Sequence, residues 1–320
     1  MFVYDHGLAT NNRQTAYAIG KQSLHTGVVP ELANSYDYHV TSHGWVLLVS
    51  PGPSPQARLW EPRSGESVSL PPMDHKPPAN WECYLSDVPT APSCAVLVLN
   101  MEEPNFMYCR VGGDRWSAHE YHIGEVPVPP ECTTTRDILI QQMVAVGGKL
   151  CFHEKGKLGV IDFSSSTTPE FTYLDYPRIG FPDGSNCSTD FHVASRGELL
   201  NVTVFCKGFN PAEILTVGVY KVDMSSGLTV ALSKVDGLGD RVVLLSDPNT
   251  QVLCSASKYG LKGNRVYFNY NVTGEPDGGP LCIYDLDDQS LDTLQPCKGV
   301  TELMRNPFWV LPTGQDCVSE

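Results

Sequence analysis

The sequence predicts an all-β fold, and three observations carry that expectation. Apolar residues almost never recur at the i, i+3, i+4 spacing of an amphipathic helix. Instead they gather in short runs rich in Val, Leu, Tyr, Phe and Cys, the residue types that suit a pleated surface. Gly, Pro, Asn and Asp interrupt these runs at intervals of roughly eight to twelve residues. The 28 glycines and 25 prolines are spread along the chain without a period of three, so they mark turns between many short strands.

A unit of four strands recurs. It has a first strand, a tight turn, a very apolar second strand, a loop, a third strand, and a short Gly/Ser/Asp turn into the fourth. Copies read 36–42, 45–50, 57–60 and 67–70; then 82–87, 94–100, 106–111 and 116–121; then 143–146, 149–153, 158–163 and 171–176. Two more read 191–195, 198–206, 215–223 and 229–234, and 252–259, 264–270, 281–286 and 291–294. The second strands begin near residues 45, 94, 149, 198 and 264, a spacing slightly longer than the roughly 40–50 residues of a propeller blade. Ahead of them lie three strands, 2–5, 16–19 and 23–28, that lack a first member. At the far end the isolated apolar run Phe308-Trp309-Val310-Leu311 lacks neighbours. Joining the two ends completes the unit and removes exposed edges.

The expected fold is therefore a β-propeller of about six four-stranded blades, its ring closed by the C-terminal strand joining the N-terminal blade. It forms a single domain over 1–320: a first blade from 1–30 plus 307–312, and others at about 36–70, 82–121, 143–176, 190–234 and 252–294.

In such blades the turns joining strands one to two and three to four share one face of the disc. The remaining connections share the other. The first class is mostly short, as at 42–44, 147–148, 196–197, 62–65 and 287–290. The second is long: 51–56, 71–81, 123–138, 177–189, 207–214, 235–241 and 272–280. Long loops on a rigid scaffold commonly carry binding residues. Within them Met73, His75 and Lys76 near Trp81, with Arg178, Phe181 and Phe209, supply the aromatic and basic anchors that interfaces favour. The competing structural reading is that Trp81 and Phe181 cap the ends of blades.

Charge narrows the partner class. With 22 basic and 36 acidic side chains the formal net charge is −14, which repels phosphate backbones and anionic lipid. Nucleic acid and membrane are not expected partners. Residues 1–10 carry no basic and apolar segments of a signal peptide, and the apolar runs 45–49 and 94–99 are too short to span a bilayer. The expected location is cytoplasm or nucleus. The 11 cysteines form no C-x-x-C pair, so reduced structural thiols are expected rather than disulfides or a zinc site.

No catalytic residue, metal ligand or cofactor is assigned. His119-Glu120-Tyr121-His122 lacks the helical spacing of a zinc protease. Gly237-Leu238-Gly239-Asp240 matches only the start of a dinucleotide fingerprint, with no helix after it. The acidic cluster Asp285, Asp287 and Asp288 lies at a strand end, where Asp bonds nearby amides. His39 and His43 flank a tight turn and read as packing residues.

Taken together, Gly44-Trp45-Val46-Leu47-Leu48, Leu59-Trp60-Glu61-Pro62, Leu70-Pro71-Pro72-Met73, Gly263-Asn264-Arg265-Val266-Tyr267-Phe268 and Pro307-Phe308-Trp309-Val310-Leu311-Pro312 resemble one plant family. It is the domain-of-unknown-function 295 family, the F-box-associated KIB-type propellers. The resemblance implies a plant protein whose propeller selects substrates for ubiquitylation while an F-box docks a Skp1-type adaptor. Here the first 35 residues read as blade strands and leave no room for an F-box, so a Skp1-type adaptor is not an expected partner. The expected function is non-catalytic recognition of a protein partner, whose identity the sequence does not give. A hydrolase using the central channel, and a truncated relative competing with F-box-bearing members, stand as alternatives.

Overall fold

A computed structural model describes residues 1–7, 13–33, 37–91, 93–128, 134–165, 168–195, 197–246, 251–271, 274–298 and 303–311. Among them the strands build six sheets, five with four strands and one with five, plus a two-stranded hairpin. No helix among the described residues is long and apolar enough to cross a membrane. The chain divides into two compact units, Tyr36–Tyr176 and Met1–Ser35 with Pro177–Glu320.

The Tyr36–Tyr176 unit holds sheets two, three and four. Sheet two comprises Asp37–Val40, Val46–Val49, Ala57–Trp60 and Ser67–Ser69. Sheet three comprises Trp81–Leu85, Ala95–Asn100, Asn105–Arg110 and Ser117–Glu120. Sheet four comprises Val144–Val146, Lys149–Glu154, Lys157–Asp162 and Glu170–Asp175. Each is an antiparallel meander in chain order.

Every residue of Ala95–Asn100 is buried, and the period of two explains why. Val96 and Val98 enter one core with Leu47 and Leu59 of sheet two and Trp116. Ala95, Leu97 and Leu99 point the other way, into a core with Leu150, Phe152 and Ile161 of sheet four. A strand buried on both faces reads as a continuous apolar run, and each such Val or Leu contributes about 1.5–3 kcal/mol by leaving water.

The other unit repeats the device. Val243 and Leu245 pack with Val202 and Val204, whereas Val242 and Leu244 pack with Phe2, Tyr4 and Trp309. Its sheet one is Phe308–Trp309, Phe2–Asp5, Arg13–Ala18 and Ser23–Val28, in that order. The C-terminal strand thus supplies the member that the N-terminal segment lacks, with Trp309 opposite Phe2 and Phe308 opposite Val3.

Three expectations need correction. First, residues 252–259 do not lie beside the strand at 264–270. Arg241–Leu245, which begins at the end of the expected loop 235–241 and is expected in no strand, takes that place and runs parallel to Arg265–Asn269. Val252–Ser255 pairs outside it as a fifth, edge strand, and Ser257–Tyr259 forms a 3-10 turn. Second, sheet five carries a much longer hairpin than expected, Ser185–Ser195, Glu198–Lys207 and Asn210–Asp223, with Ala231–Lys234 as its last strand. The expected loops at 177–189 and 207–214 are therefore shorter, and Gly208-Phe209 alone join two long strands. Third, the expected loop 123–138 contains the hairpin Glu125–Pro127 and Thr135–Asp137. The expected turn residue Arg196 and the loop residues Val272 and Thr273 lie outside the described residues, as does Pro312.

The described cysteines are all free, six of them buried. Burial pushes the Cys94 and Cys151 thiols up to about 12 and Cys282 to about 11, so they pack as small hydrophobes. Cys132 and Cys317 lie outside the described residues.

One glycine is fixed by close approach. Gly159 stands directly opposite Phe152, whose ring lies across it so that a Cβ there would sit 2.2 Å from Cζ. An aromatic covering a strand glycine fills the missing side chain's volume. Gly159→Ala is expected to destabilise the protein by about 1–3 kcal/mol through overpacking, read from the urea midpoint. An unchanged midpoint would show that the Phe152 ring moves aside freely.

Candidate partner-binding surfaces

The sequence-predicted anchors fall into two groups, one in each compact unit. In the Tyr36–Tyr176 unit, Met73 and Trp81 are core residues, 1% and 5% exposed, and both join the cluster formed with Trp45 and Leu59. The Met73 N–H donates to the Pro55 carbonyl at 3.0 Å, and the Trp81 ring lies 3.9 Å from that of His39. Neither presents a side chain for a partner to grip, so the blade-packing reading holds for Trp81. His75 and Lys76 are exposed.

Lys76 lines an open cleft of about 400 Å³, with Pro78 and Ala79 on the same connection. The opposite side is built by sheet three: Val98 and Met107 on its strands, and Asn100, Glu102, Glu103 and Asn105 at the turn between them. This turn is rigid for a local reason. Asn100 is buried, and its Oδ1 accepts the backbone N–H groups of Glu102 at 3.0 Å and Glu103 at 3.3 Å, the side-chain-to-backbone pattern that lets Asn set a turn. Its amide donates to Asn105 Oδ1 at 3.2 Å, and the Asn105 amide donates to Glu103 Oε2 at 3.2 Å. The Met101 N–H donates to the Asn80 carbonyl at 3.0 Å, which ties the two walls together.

Glu103 is thus held, while Glu102 and Lys76 have no hydrogen-bond or ion-pair partner among the described residues. Sequence reading found Lys76 and missed the four polar residues facing it. The available signal was the abrupt change from the apolar run 95–99 to Asn100-Met101-Glu102-Glu103-Pro104.

In the other unit Phe209 occupies the tip of the long hairpin of sheet five and is 80% exposed. Phe181 is 38% exposed, lies edge-on to Phe205 at 6.3 Å, and carries the Arg178 guanidinium over its face at 5.6 Å.

The remaining titratable clusters serve structure. Asp285 is 3% exposed and accepts from Lys262 Nζ at 2.7 Å and Arg265 Nε at 3.0 Å, which hold its carboxyl down at about 2. Asp287 accepts the Asn264 amide at 2.6 Å, and Asp288 accepts the Ser290 N–H at 3.0 Å. Within the Gly237–Asp240 segment, the Leu238 N–H donates to Asn264 Oδ1 at 2.6 Å, and the Asp240 carboxylate accepts from Ser255 and Ser257, each at 2.8 Å. His119 packs against the rings of Phe106 and Phe171 at 5.1 and 5.5 Å, and burial lowers its pKa. Burial likewise lowers that of His43, against the pull of Asp87. At the unexpected hairpin, Glu125 and Asp137 with His122 just before it bring their ligand atoms within 4.8 Å of one another. Among the described residues they have the geometry to share a divalent cation, although His122 Nδ1 already pairs with Asp137 Oδ1 at 2.9 Å.

Six sheets built on one four-stranded plan call for comparison with propeller families, and the model described as KIB1-4 beta-propeller matches residues 16–285. The chain belongs to the KIB1-4 beta-propeller family. Its six sheets are the blades of this propeller, and the cleft lies at loops of blades two and three. No curated protein matches the chain. Among solved structures, a DUF4784 family protein from Bacteroides caccae is similar at 9% identity, over 94% of this chain and 72% of that one, with a TM-score of 0.33.

Proposed function

We propose that this KIB1-4 propeller is a non-catalytic module that recognises a protein partner through the cleft at blades two and three. The observation that supports this reading is a preformed, open recess whose Lys76 and Glu102 side chains have no partner among the described residues. Rigid concave sites with a few unsatisfied polar groups are where ligands gain orientation as well as contact. The aromatic residues Phe181 and Phe209 of the other unit add interface-prone surface. By the motif resemblance, the partner class is a substrate of a ubiquitin ligase in cytoplasm or nucleus, and ubiquitylation of the captured partner would be the matching readout.

The test fills the cleft without touching the core. Ala79 is exposed, so Ala79→Trp leaves the melting temperature unchanged while its indole occupies the recess. Quantitative affinity capture from cells that express the protein is expected to lose the specific partner at least tenfold. Equal recovery with wild type and variant would reject the cleft as the binding site.

A further inference from the structure

We propose that the cleft receives the side chain of an arginine or lysine displayed by the protein partner, an inference that rests on the partner-binding reading above and names its chemistry. The cleft is amphipathic in the way such a side chain requires. Half-buried Met107 forms an apolar floor, backed by the core residue Val98, and Pro78 and Ala79 an apolar wall, surfaces on which a methylene stem packs while its charged head stays at the rim. Glu102 and Glu103 stand at that rim. The Glu103 carboxylate is oriented by the Asn105 amide at 3.2 Å, and Glu102 is unpaired among the described residues. A cationic head placed there meets one fixed and one adjustable carboxylate, an arrangement a guanidinium fork can bridge.

Charge decides between guests of opposite sign. Two carboxylates outnumber the single ammonium of Lys76, so the cleft lining is net negative. A guest carboxylate could reach Lys76 only by approaching Glu102 and Glu103 as well. At longer range the formal net charge of −14 accelerates encounter with basic segments and repels acidic ones.

The experiment uses the full chain with its methionine methyl groups isotope-labelled, because Met107 reports from the cleft floor. The probe is the peptide acetyl-Gly-Arg-Gly-amide, compared with peptides carrying norleucine or glutamate in place of arginine. The arginine peptide is expected to shift the Met107 methyl resonance saturably, and at least tenfold more tightly than either comparison peptide. Glu102→Gln, whose parent carboxylate bonds no described residue, and the double variant E102Q/E103Q are expected to weaken it stepwise, with unchanged melting temperature for the single variant. Lys76→Gln is expected to bind at least as tightly as wild type.

Equal binding of the norleucine or glutamate peptide, no loss in Glu102→Gln, weaker binding in Lys76→Gln, or no Met107 shift would each overturn the proposal. If Ala79→Trp abolishes partner capture while the arginine peptide fails to bind, the cleft remains a partner site and only the cation assignment falls. If Ala79→Trp captures normally, the partner-binding reading falls, and the peptide titration still tests the cleft's chemistry.

Discussion

Replacing Trp309 by alanine is expected to lower the unfolding free energy by about 3–5 kcal/mol, the usual cost of emptying a large buried aromatic site. Three features put it in that range. Trp309 is 2% exposed, its ring lies 4.6 Å from that of Phe2, and its Nε1–H donates to the Leu245 carbonyl at 2.9 Å. The truncation therefore removes packing from blade one and a hydrogen bond to a strand of blade six at once. Trp309→Phe separates the terms: it keeps much of the ring area but leaves the Leu245 carbonyl without its donor, a loss of about 1–3 kcal/mol. Leu228→Ala, at a side chain 79% exposed, serves as the control with little change. The measurement is the denaturant midpoint at constant m-value. A Trp309→Ala loss within 1 kcal/mol of the control would mean that the pairing of Phe308–Trp309 with Phe2 and Val3 does little to hold blade one.

That closure was readable in the sequence because Phe308–Leu311 is an isolated apolar run and the first segment is one strand short. Both signals are local. Blade six shows where local signals stop. Residues 242–245 and 252–255 are both short, apolar and β-branched or Cys-rich, so propensity ranks them equally. Which one pairs with Arg265–Asn269 is settled by side-chain fit on two faces at once: Val243 and Leu245 fill the core shared with blade five, and Val242 and Leu244 that shared with blade one. The winner runs parallel to its neighbour, and no turn signal announces a parallel pairing.

The site was legible in a similar proportion. Lys76, Phe181 and Phe209 sit on connections and are exposed, as their polar and Gly/Pro-rich surroundings indicate. Met73 occupies the same kind of connection, and Trp81, expected there, begins the strand Trp81–Leu85; both are buried, because Trp45 and Leu59 of the preceding blade offer them a hydrophobic pocket. Composition of a loop cannot report what its neighbours cover. Glu102 and Glu103 went unnoticed for the opposite reason, since acidic residues in a turn are ordinary until a facing wall turns them into a rim.

The second large effect concerns Asp285. Its carboxylate is buried, lies opposite Arg265 across the ladder, and accepts from Lys262, from Arg265 and from the Asp287 N–H at 3.1 Å. Asp285→Ala strands two cations around a buried position, and removing one partner of a buried pair costs about 3–5 kcal/mol. The lower end is expected because Lys262 is 56% exposed and regains water. The pH dependence separates charge from packing. Lys262, chiefly, lowers the Asp285 pKa to about 2, below its value near 3.9 in an unfolded chain. A carboxyl depressed on folding stabilises the native state fully above the unfolded pKa and loses that contribution as pH falls through the folded one. Wild type should therefore lose stability between about pH 4 and about pH 2, with part of the slope due to this residue. Asp285→Asn keeps the shape, lacks the charge, and should show a shallower acid limb, so that the gap between it and wild type narrows as pH falls. Asp162, held by Lys149 at about 2, persists in both proteins and cancels from the comparison. A gap that stays constant from pH 7 to 2 would assign the role of Asp285 to packing and hydrogen-bond geometry rather than to its charge.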